Sequence, residues 1–169
     1  MSGEVSTILL WLLVINLGVT FGAGLYEGRI VVSEWISFSP ESGAHWNPDV
    51  ARRHDTGRRF WAFVTTVPLT LIALANLRAA WLVSGALSGW WLAAASAALT
   101  DRAFTFVYFI PTMVRLMQRA DSPESVAIAT RWSNLNYVRH AIVLAAWLAS
   151  LKAFSLFYQE RMLRWILSR

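Results

Sequence analysis

The stretch RWSNLNYVRH, residues 131–140, places polar side chains against a long apolar run, AIVLAAWLASL. At helical spacing, one side of the stretch carries four residues that can bind or react: Trp132, Asn136, Arg139 and His140. An arginine and an amide can hold an oxyanion, and an imidazole can move a proton. This face therefore predicts a binding or catalytic surface. Asn134 points away from it, so we expect Asn134 to tolerate substitution better than Asn136.

Polar side chains also follow helical spacing in two other segments. They are Asn16, Thr20, Glu27 and Glu34 in the first segment, and Asp101, Thr105, Tyr108 and Thr112 in the second. A charged side chain that faces lipid costs at least about 2.5 kcal/mol. We therefore expect the polar faces to meet one another, with Arg139 neutralised by Glu27 or Asp101. Such pairs either build a ligand site or have the structural role of locking the helices together.

The elements that must position these residues are membrane helices. Apolar residues make up 56% of the sequence and charged residues only 15%, a composition typical of membrane proteins. Residues 5–26 and 60–77 carry no charge and come close to or exceed the roughly 18–20 residues that cross a bilayer. The first of them is longer than the apolar core of a signal peptide, so we expect it to be retained as an anchor.

The predicted fold class is all-α, a four-helix transmembrane bundle, with residues 1–169 forming a single integral membrane domain. The helices are expected at about 5–37, 59–83, 89–118 and 132–158, with loops at about 38–58, 84–88 and 119–130. The two Ser-Gly steps around position 86 supply the turn between the second and third helices. Trp132 is expected near a helix end, in the interfacial belt where membrane proteins concentrate tryptophan.

Arginines are distributed unequally between the two ends of the predicted bundle. Around loops one and three they are Arg52, Arg53, Arg58, Arg59, Arg115, Arg119 and Arg131, and on the opposite side they are Arg78, Arg161, Arg164 and Arg169. The positive-inside rule then predicts cytoplasmic loops one and three and external termini. The net charge of +5 is scattered and forms no stripe, so we expect membrane lipids as partners and no nucleic acid.

Several function classes are excluded by what the sequence lacks. It has no cysteine, which removes disulfides, thiolate catalysis and cysteine-held metal clusters. A glycine-rich phosphate loop, a nucleophile elbow and an HExxH motif are absent as well. His45 and His54 lie nine residues apart, a spacing that does not place two imidazoles on one helical face.

The segment YFIPTMVRLMQRADSP, followed by RWSNLNYVRHAIVLAAWLASLKAF, resembles the signature of the anthrone oxygenase-like family of small four-helix membrane proteins. The matching positions are Pro111, Thr112, Leu116, Trp132, Leu135, Asn136 and Arg139. The first-helix motif GAGLYEG fits the pattern loosely, whereas residues 41–59 match no family motif, which leaves the substrate open. Fungal members convert an anthrone to an anthraquinone with molecular oxygen and without an evident bound cofactor.

That resemblance implies oxidation of a hydroxyaromatic or polyketide-like substrate, chemistry that the residues permit. The reaction needs a base, donors that hold an enolate, and an apolar pocket. The candidate bases are His140, Glu27 and Asp101, and the candidate substrate-binding residues are Arg139, Asn136, Tyr108, Thr112 and Trp132. No metal or other cofactor is required, although Glu27, Glu34, Asp101 and His140 are residue types that bind iron or copper.

Two other classes of function explain the same sequence. A non-catalytic four-helix membrane subunit that binds a hydrophobic aromatic small molecule, or that stabilises a larger complex of membrane proteins, accounts equally well for the tryptophans, glycines and paired charges. A proton-coupled transporter is the third hypothesis, which four helices would support only in an oligomer.

Overall fold

A computed structural model describes residues 3–168, which are mostly helical. The helices are α1 (Gly3–Tyr26), α2 (Pro48–His54), α3 (Val67–Trp81), α4 (Ala86–Phe104), α5 (Ile110–Leu116) and α6 (Pro123–Leu167). Three π-helical segments extend or join them, and we label them π1 (Glu27–Val31), π2 (Gly57–Thr66) and π3 (Thr105–Phe109). A short 3₁₀ turn, Val32–Glu34, follows π1. Because these segments are continuous with their neighbours, the described chain forms five uninterrupted helices.

Three of the five helices are long and apolar enough to cross a membrane: Glu4–Glu34, Gly57–Trp81 and Pro123–Leu167. This finding agrees with the prediction, made from composition, that the chain is a membrane protein. The helix formed by α4, π3 and α5 also runs for membrane length, but it contains Asp101 and Arg102.

Residues 36–46 contain the principal departure from the predicted all-α class. β1 (Ile36–Ser39) and β2 (Gly43–Trp46) form an antiparallel hairpin in the register Ile36↔Trp46. Gly43 has φ +83°, a backbone conformation that glycine adopts without strain. α2 follows at once, and the Asn47 side chain caps it by accepting the N–H of Val50. The predicted loop 38–58 is therefore mostly ordered secondary structure.

The first three long helices lie within about three residues of their predicted bounds, whereas the last helix extends well beyond them at both ends. The first helix ends at Glu34 instead of 37, the second helix occupies 57–81 instead of 59–83, and the third begins at Ala86 and ends at Leu116. The last helix was expected to begin near 132, but Ser122 accepts the N–H of Ser125 and Pro123 opens the helix there. The stretch 131–140 therefore lies inside α6, which continues to Leu167.

Helix packing divides the interior into two apolar cores. α6 lies along α4 and α1, and α3 packs against α4 and α1. The core between these helices contains Leu10, Leu13, Leu17, Leu69, Trp91, Val143 and Phe157. The second core lies beneath the hairpin and contains Val31, Val32, Trp35, Trp46, Phe109, Leu116 and Trp132. Trp132 is only 6% exposed, so it packs inside this core and does not face outward as a residue of the interfacial belt would.

Asn76 holds α3 against two other helices. Its amide nitrogen donates to the carbonyl oxygens of Leu9 (3.0 Å) and Ile72 (2.8 Å), and its oxygen accepts the indole N–H of Trp91 at 2.8 Å. Asn76 is fully buried, and a buried polar group that kept no partner would be costly. Helical spacing does not predict Leu9 and Trp91 as partners of Asn76, because they lie 67 and 15 positions away in the chain.

Candidate functional site

Buried charges meet where α4 and α6 lie side by side. Asp101 is fully buried and Arg102 is 3% exposed. The Arg102 Nε donates to Asp101 Oδ2 at 2.9 Å, and its terminal nitrogen bonds the same oxygen. The Arg139 Nε lies 3.6 Å from Asp101 Oδ1, which makes an ion pair without a hydrogen bond. The Asp101 carboxylate thus forms ion pairs with both guanidinium groups but accepts hydrogen bonds only from that of Arg102.

Glu27 is also buried, but its hydrogen-bond partners differ from those of Asp101. Its Oε1 accepts the Thr56 hydroxyl and the Trp61 indole N–H, the latter at 2.7 Å. Of the two acids predicted to neutralise Arg139, the structure shows the ion pair with Asp101. Glu27 is linked to Arg139 indirectly, because the Trp61 ring centroid lies 6.0 Å from Arg139 Cζ.

The Arg139 guanidinium lies over an aromatic ring. Its Cζ is 4.8 Å from the centroid of Phe109, a cation–π distance. Trp132 holds Phe109 in place. The Trp132 indole N–H donates to the Phe109 carbonyl at 3.1 Å, and the two rings pack edge to face. Among the described residues, Arg139 Nε is buried without a hydrogen-bond acceptor. An acceptor that reached Arg139 would therefore satisfy a donor that the protein leaves open.

His140 and Asn136 are also buried with polar atoms that lack partners. Both ring nitrogens of His140 and the Oδ1 of Asn136 have no hydrogen-bond partner in the described chain. His140 fits against α1 only because residue 24 is glycine, where a Cβ would lie 2.5 Å from His140 Nε2. The predicted opposite orientation of the two asparagines on α6 is confirmed, because Asn136 is 3% exposed whereas Asn134 is exposed; their difference in tolerance to substitution stays a prediction.

A narrow crevice leads from the surface to these unpaired groups. It is lined by Gly28, Ser133, Asn136, Tyr137 and His140. The crevice holds no space in which a water molecule would fit. A planar substrate therefore does not fit this closed arrangement, and its entry would require π1 and α6 to separate near Gly28.

Two of the predicted substrate-binding residues do not reach Arg139. Tyr108 and Thr112 are half-buried, and in residues 3–168 no hydrogen bond joins either side chain to the charged groups. The reason lies in π3, because a π turn holds more residues than an α turn and rotates the chain that follows it. As a result Phe109, which the helical spacing did not indicate, faces Arg139 in place of Tyr108.

The π-helical segments contain many of the residues that contact the buried charges. Glu27 begins π1, Trp61 lies in π2 and Phe109 ends π3. Interruptions of this kind occur frequently at functional sites. A proline follows two of them by two positions, and Pro68 removes the N–H that would bond the Val64 carbonyl in an α-helix. That carbonyl instead accepts the side-chain N–H of Asn16 at 3.0 Å. The positions of the two prolines were therefore the sequence signal for π2 and π3.

The residues named as metal-binding types do not gather into one site. Among the described residues, no group of three His, Asp or Glu side chains is placed to hold a metal ion. Glu34 is exposed and interacts with His54, with 3.1 Å between Oε2 and Nε2. Its predicted place on the inner face of the first helix is wrong, because π1 lies between it and Thr20.

No family model, curated protein or solved structure matches this chain.

Proposed function

We propose that the chain is a four-helix integral membrane protein with loops one and three in the cytoplasm. The helix from Ala86 to Leu116 is the fourth span in this proposal. Its charged pair, Asp101 and Arg102, is buried against other helices. Its exposed face is largely apolar and includes Trp90, Phe104, Phe106, Val107, Ile110 and Val114. Lipid would thus meet aromatic and aliphatic groups, and the charges would stay inside the protein.

The polar interior, in this proposal, binds a hydroxyaromatic compound through an oxyanion and supports its oxidation by molecular oxygen, as the resemblance to anthrone oxygenases suggests. The observation that carries the proposal is Arg139, a buried cation that lies over Phe109 and whose Nε has no hydrogen-bond acceptor among the described residues, since Asp101 Oδ1 lies 3.6 Å away. An enolate or phenolate oxygen would supply the missing acceptor. The aromatic part of the same ligand would pack beside Phe109 and Trp61.

The proposed chemistry needs one base and one oxyanion holder. His140 takes a proton from the activated CH₂ group beside an aromatic ketone, since both of its ring nitrogens are unpaired. Arg139 then stabilises the negative oxygen of the enolate. The electron-rich enolate reacts with O₂, and overall a CH₂ group and O₂ become a ketone and water. Glu27 and Asp101 keep the electrostatic balance, because each already accepts hydrogen bonds from protein donors.

Oxygen consumption by the purified protein in detergent, with a hydroxylated anthrone as substrate, tests this proposal. Arg139→Lys keeps the charge but loses the planar fork, so we expect a folded protein whose rate falls about a hundredfold, as when an oxyanion donor is lost. Asn136→Ala should also slow turnover, and Asn134→Ala is the matched control on the exposed side. A wild-type protein that consumes no oxygen, or an Arg139→Lys variant with the full rate, would overturn the oxygenase proposal.

A non-catalytic membrane subunit is the second candidate, and the closed crevice favours it. The Asp101–Arg102 hydrogen bonds and the packing of His140 against Gly24 are consistent with a purely structural interior. On this alternative the protein would consume no oxygen with any hydroxyaromatic substrate. It would instead co-purify from membranes with another protein in a fixed ratio, which mass spectrometry of the intact complex would detect.

A further inference from the structure

A second group of reactive side chains lies at the hairpin end of the molecule, apart from the buried charges. His45 Nδ1 lies 2.7 Å from Asp121 Oδ2, and His45 Nε2 lies 2.8 Å from the Ser42 hydroxyl oxygen. Both contacts are of hydrogen-bonding length. The side chains therefore stand in the order serine, histidine, aspartate, with the imidazole between the other two.

The hairpin holds this arrangement in place. Ser42 lies in the turn directly before Gly43, and His45 lies on β2. The next residue, Trp46, is only 2% exposed and anchors the strand in the second apolar core. The backbone N–H of Trp46 donates to the other carboxylate oxygen of Asp121 at 2.8 Å. Asp121 is thus fixed at both oxygens, as the orienting acid of a nucleophilic triad must be.

The electrostatics at Asp121 favour an ionised carboxylate. The hydrogen bond from His45 and that from the Trp46 N–H lower the pKa of Asp121 below its ordinary value. An ionised Asp121 can only accept, so Nδ1 of His45 must carry the hydrogen in their contact. In the neutral imidazole, Nε2 then keeps its lone pair and accepts the hydrogen of the Ser42 hydroxyl. This is the tautomer that a general base for serine requires.

We propose that Ser42, His45 and Asp121 form a hydrolytic site for carboxylic esters at the membrane surface. The Ser42 oxygen bonds to the ester carbonyl carbon while its proton passes to His45 Nε2. The bond to the leaving alcohol then breaks, and the alcohol takes that proton. Water next attacks the acyl group on Ser42 with His45 again as base, which releases the carboxylic acid and restores the serine.

The exposure of the group determines which esters to expect. Ser42 is exposed, and the His45 and Asp121 side chains are 38% and 41% exposed, so a substrate can reach the serine without any opening of the fold. Water reaches the same groups and weakens their electrostatic effect. Aryl esters with good leaving groups are therefore the substrate class that fits a nucleophile in this setting.

The test uses the full-length protein in detergent, a fluorophosphonate probe and 4-nitrophenyl butyrate. We expect the probe to label Ser42, as mapped by peptide mass spectrometry, and Ser42→Ala to abolish both labelling and ester hydrolysis. Ser37→Ala is the matched control, because Ser37 is exposed on β1 directly opposite His45. Asp121→Asn should slow hydrolysis at least about tenfold, since it removes the group that orients the imidazole.

A structural brace between the hairpin and the 117–122 loop would give a different pattern. Asp121→Asn would then lower the melting temperature, while Ser42→Ala would leave any ester hydrolysis unchanged. Probe labelling of Ser42 no greater than that of Ser37, or full hydrolysis by Ser42→Ala, overturns the proposal. The buried Arg139 site takes no part in these measurements, so either proposal can fail without the other.

Discussion

Gly24 is the position where one added methyl group tests the packing around His140. In Gly24→Ala the new Cβ would lie 2.5 Å from His140 Nε2 and 2.9 Å from its Cδ2, both well inside van der Waals contact. The imidazole must move, but Gly28 lies close on one side and the crevice beside it has no free volume. Overpacking of this kind costs about 1–3 kcal/mol. The helix-propensity gain of alanine over glycine, up to about 1 kcal/mol, offsets part of that cost.

The matched control is Gly22→Ala, two residues earlier on the same helix, where a Cβ meets nothing within 4 Å. Gly22→Ala should therefore be neutral or slightly stabilising. Thermal unfolding in detergent, followed by tryptophan fluorescence, should place the melting temperature of Gly24→Ala several degrees below that of Gly22→Ala, at about 2–4 °C per kcal/mol. Adding His140→Ala to Gly24→Ala should recover much of the loss. If Gly24→Ala melts at or above the temperature of Gly22→Ala, the close contact between α1 and His140 is not present in the protein.

Two further predictions concern carboxylates. Asp101→Asn removes the negative charge that Arg102 bonds, so the free energy of unfolding in detergent should fall by about 3–5 kcal/mol. Adding Arg102→Gln should restore part of that stability. An unchanged melting curve for Asp101→Asn would contradict the buried pair. Asp121 has a pKa lowered below 3.8 in the folded protein, so its stabilisation is present above that pH and is lost as the pH falls through the folded pKa. Tryptophan fluorescence of the hairpin should therefore change in acid, and in Asp121→Asn that change should be absent; an identical acid transition in both proteins would refute it.

The sequence predicted helices and inward-facing residues where a regular α-helix continues. Asn136, Arg139 and His140 are all buried and Asn134 is exposed, as expected from helical spacing along α6. The same spacing misplaced Tyr108 because π3 includes it, and helical periodicity does not indicate where a wider turn occurs. Pro111, two residues after π3, is the local sequence signal of this change.

Contacts between distant segments could not be predicted from the sequence. Glu27 is bonded by Thr56 and Trp61, which lie 29 and 34 positions away. Trp46 is held by Asp121 from 75 positions away. Helical periodicity indicates which face a residue lies on but does not identify the partner that meets it. The start of α6 was missed for another reason, since the Ser122-Pro123 helix-start signal lies inside a polar segment that composition alone assigned to a loop.

The π-helical segments have a consequence for insertions and deletions. One π turn corresponds to an α-helix into which a single extra residue has been inserted. Removing one residue from π3 would restore the α-helical turn and shift every later position by one step. A different side chain would then take the place of Phe109 beneath Arg139, while α4 kept its packing against α6. Loss or gain of one residue in π1, π2 or π3 can therefore exchange the side chains that face the interior, whereas most single-residue length changes inside a helix would disturb the whole span.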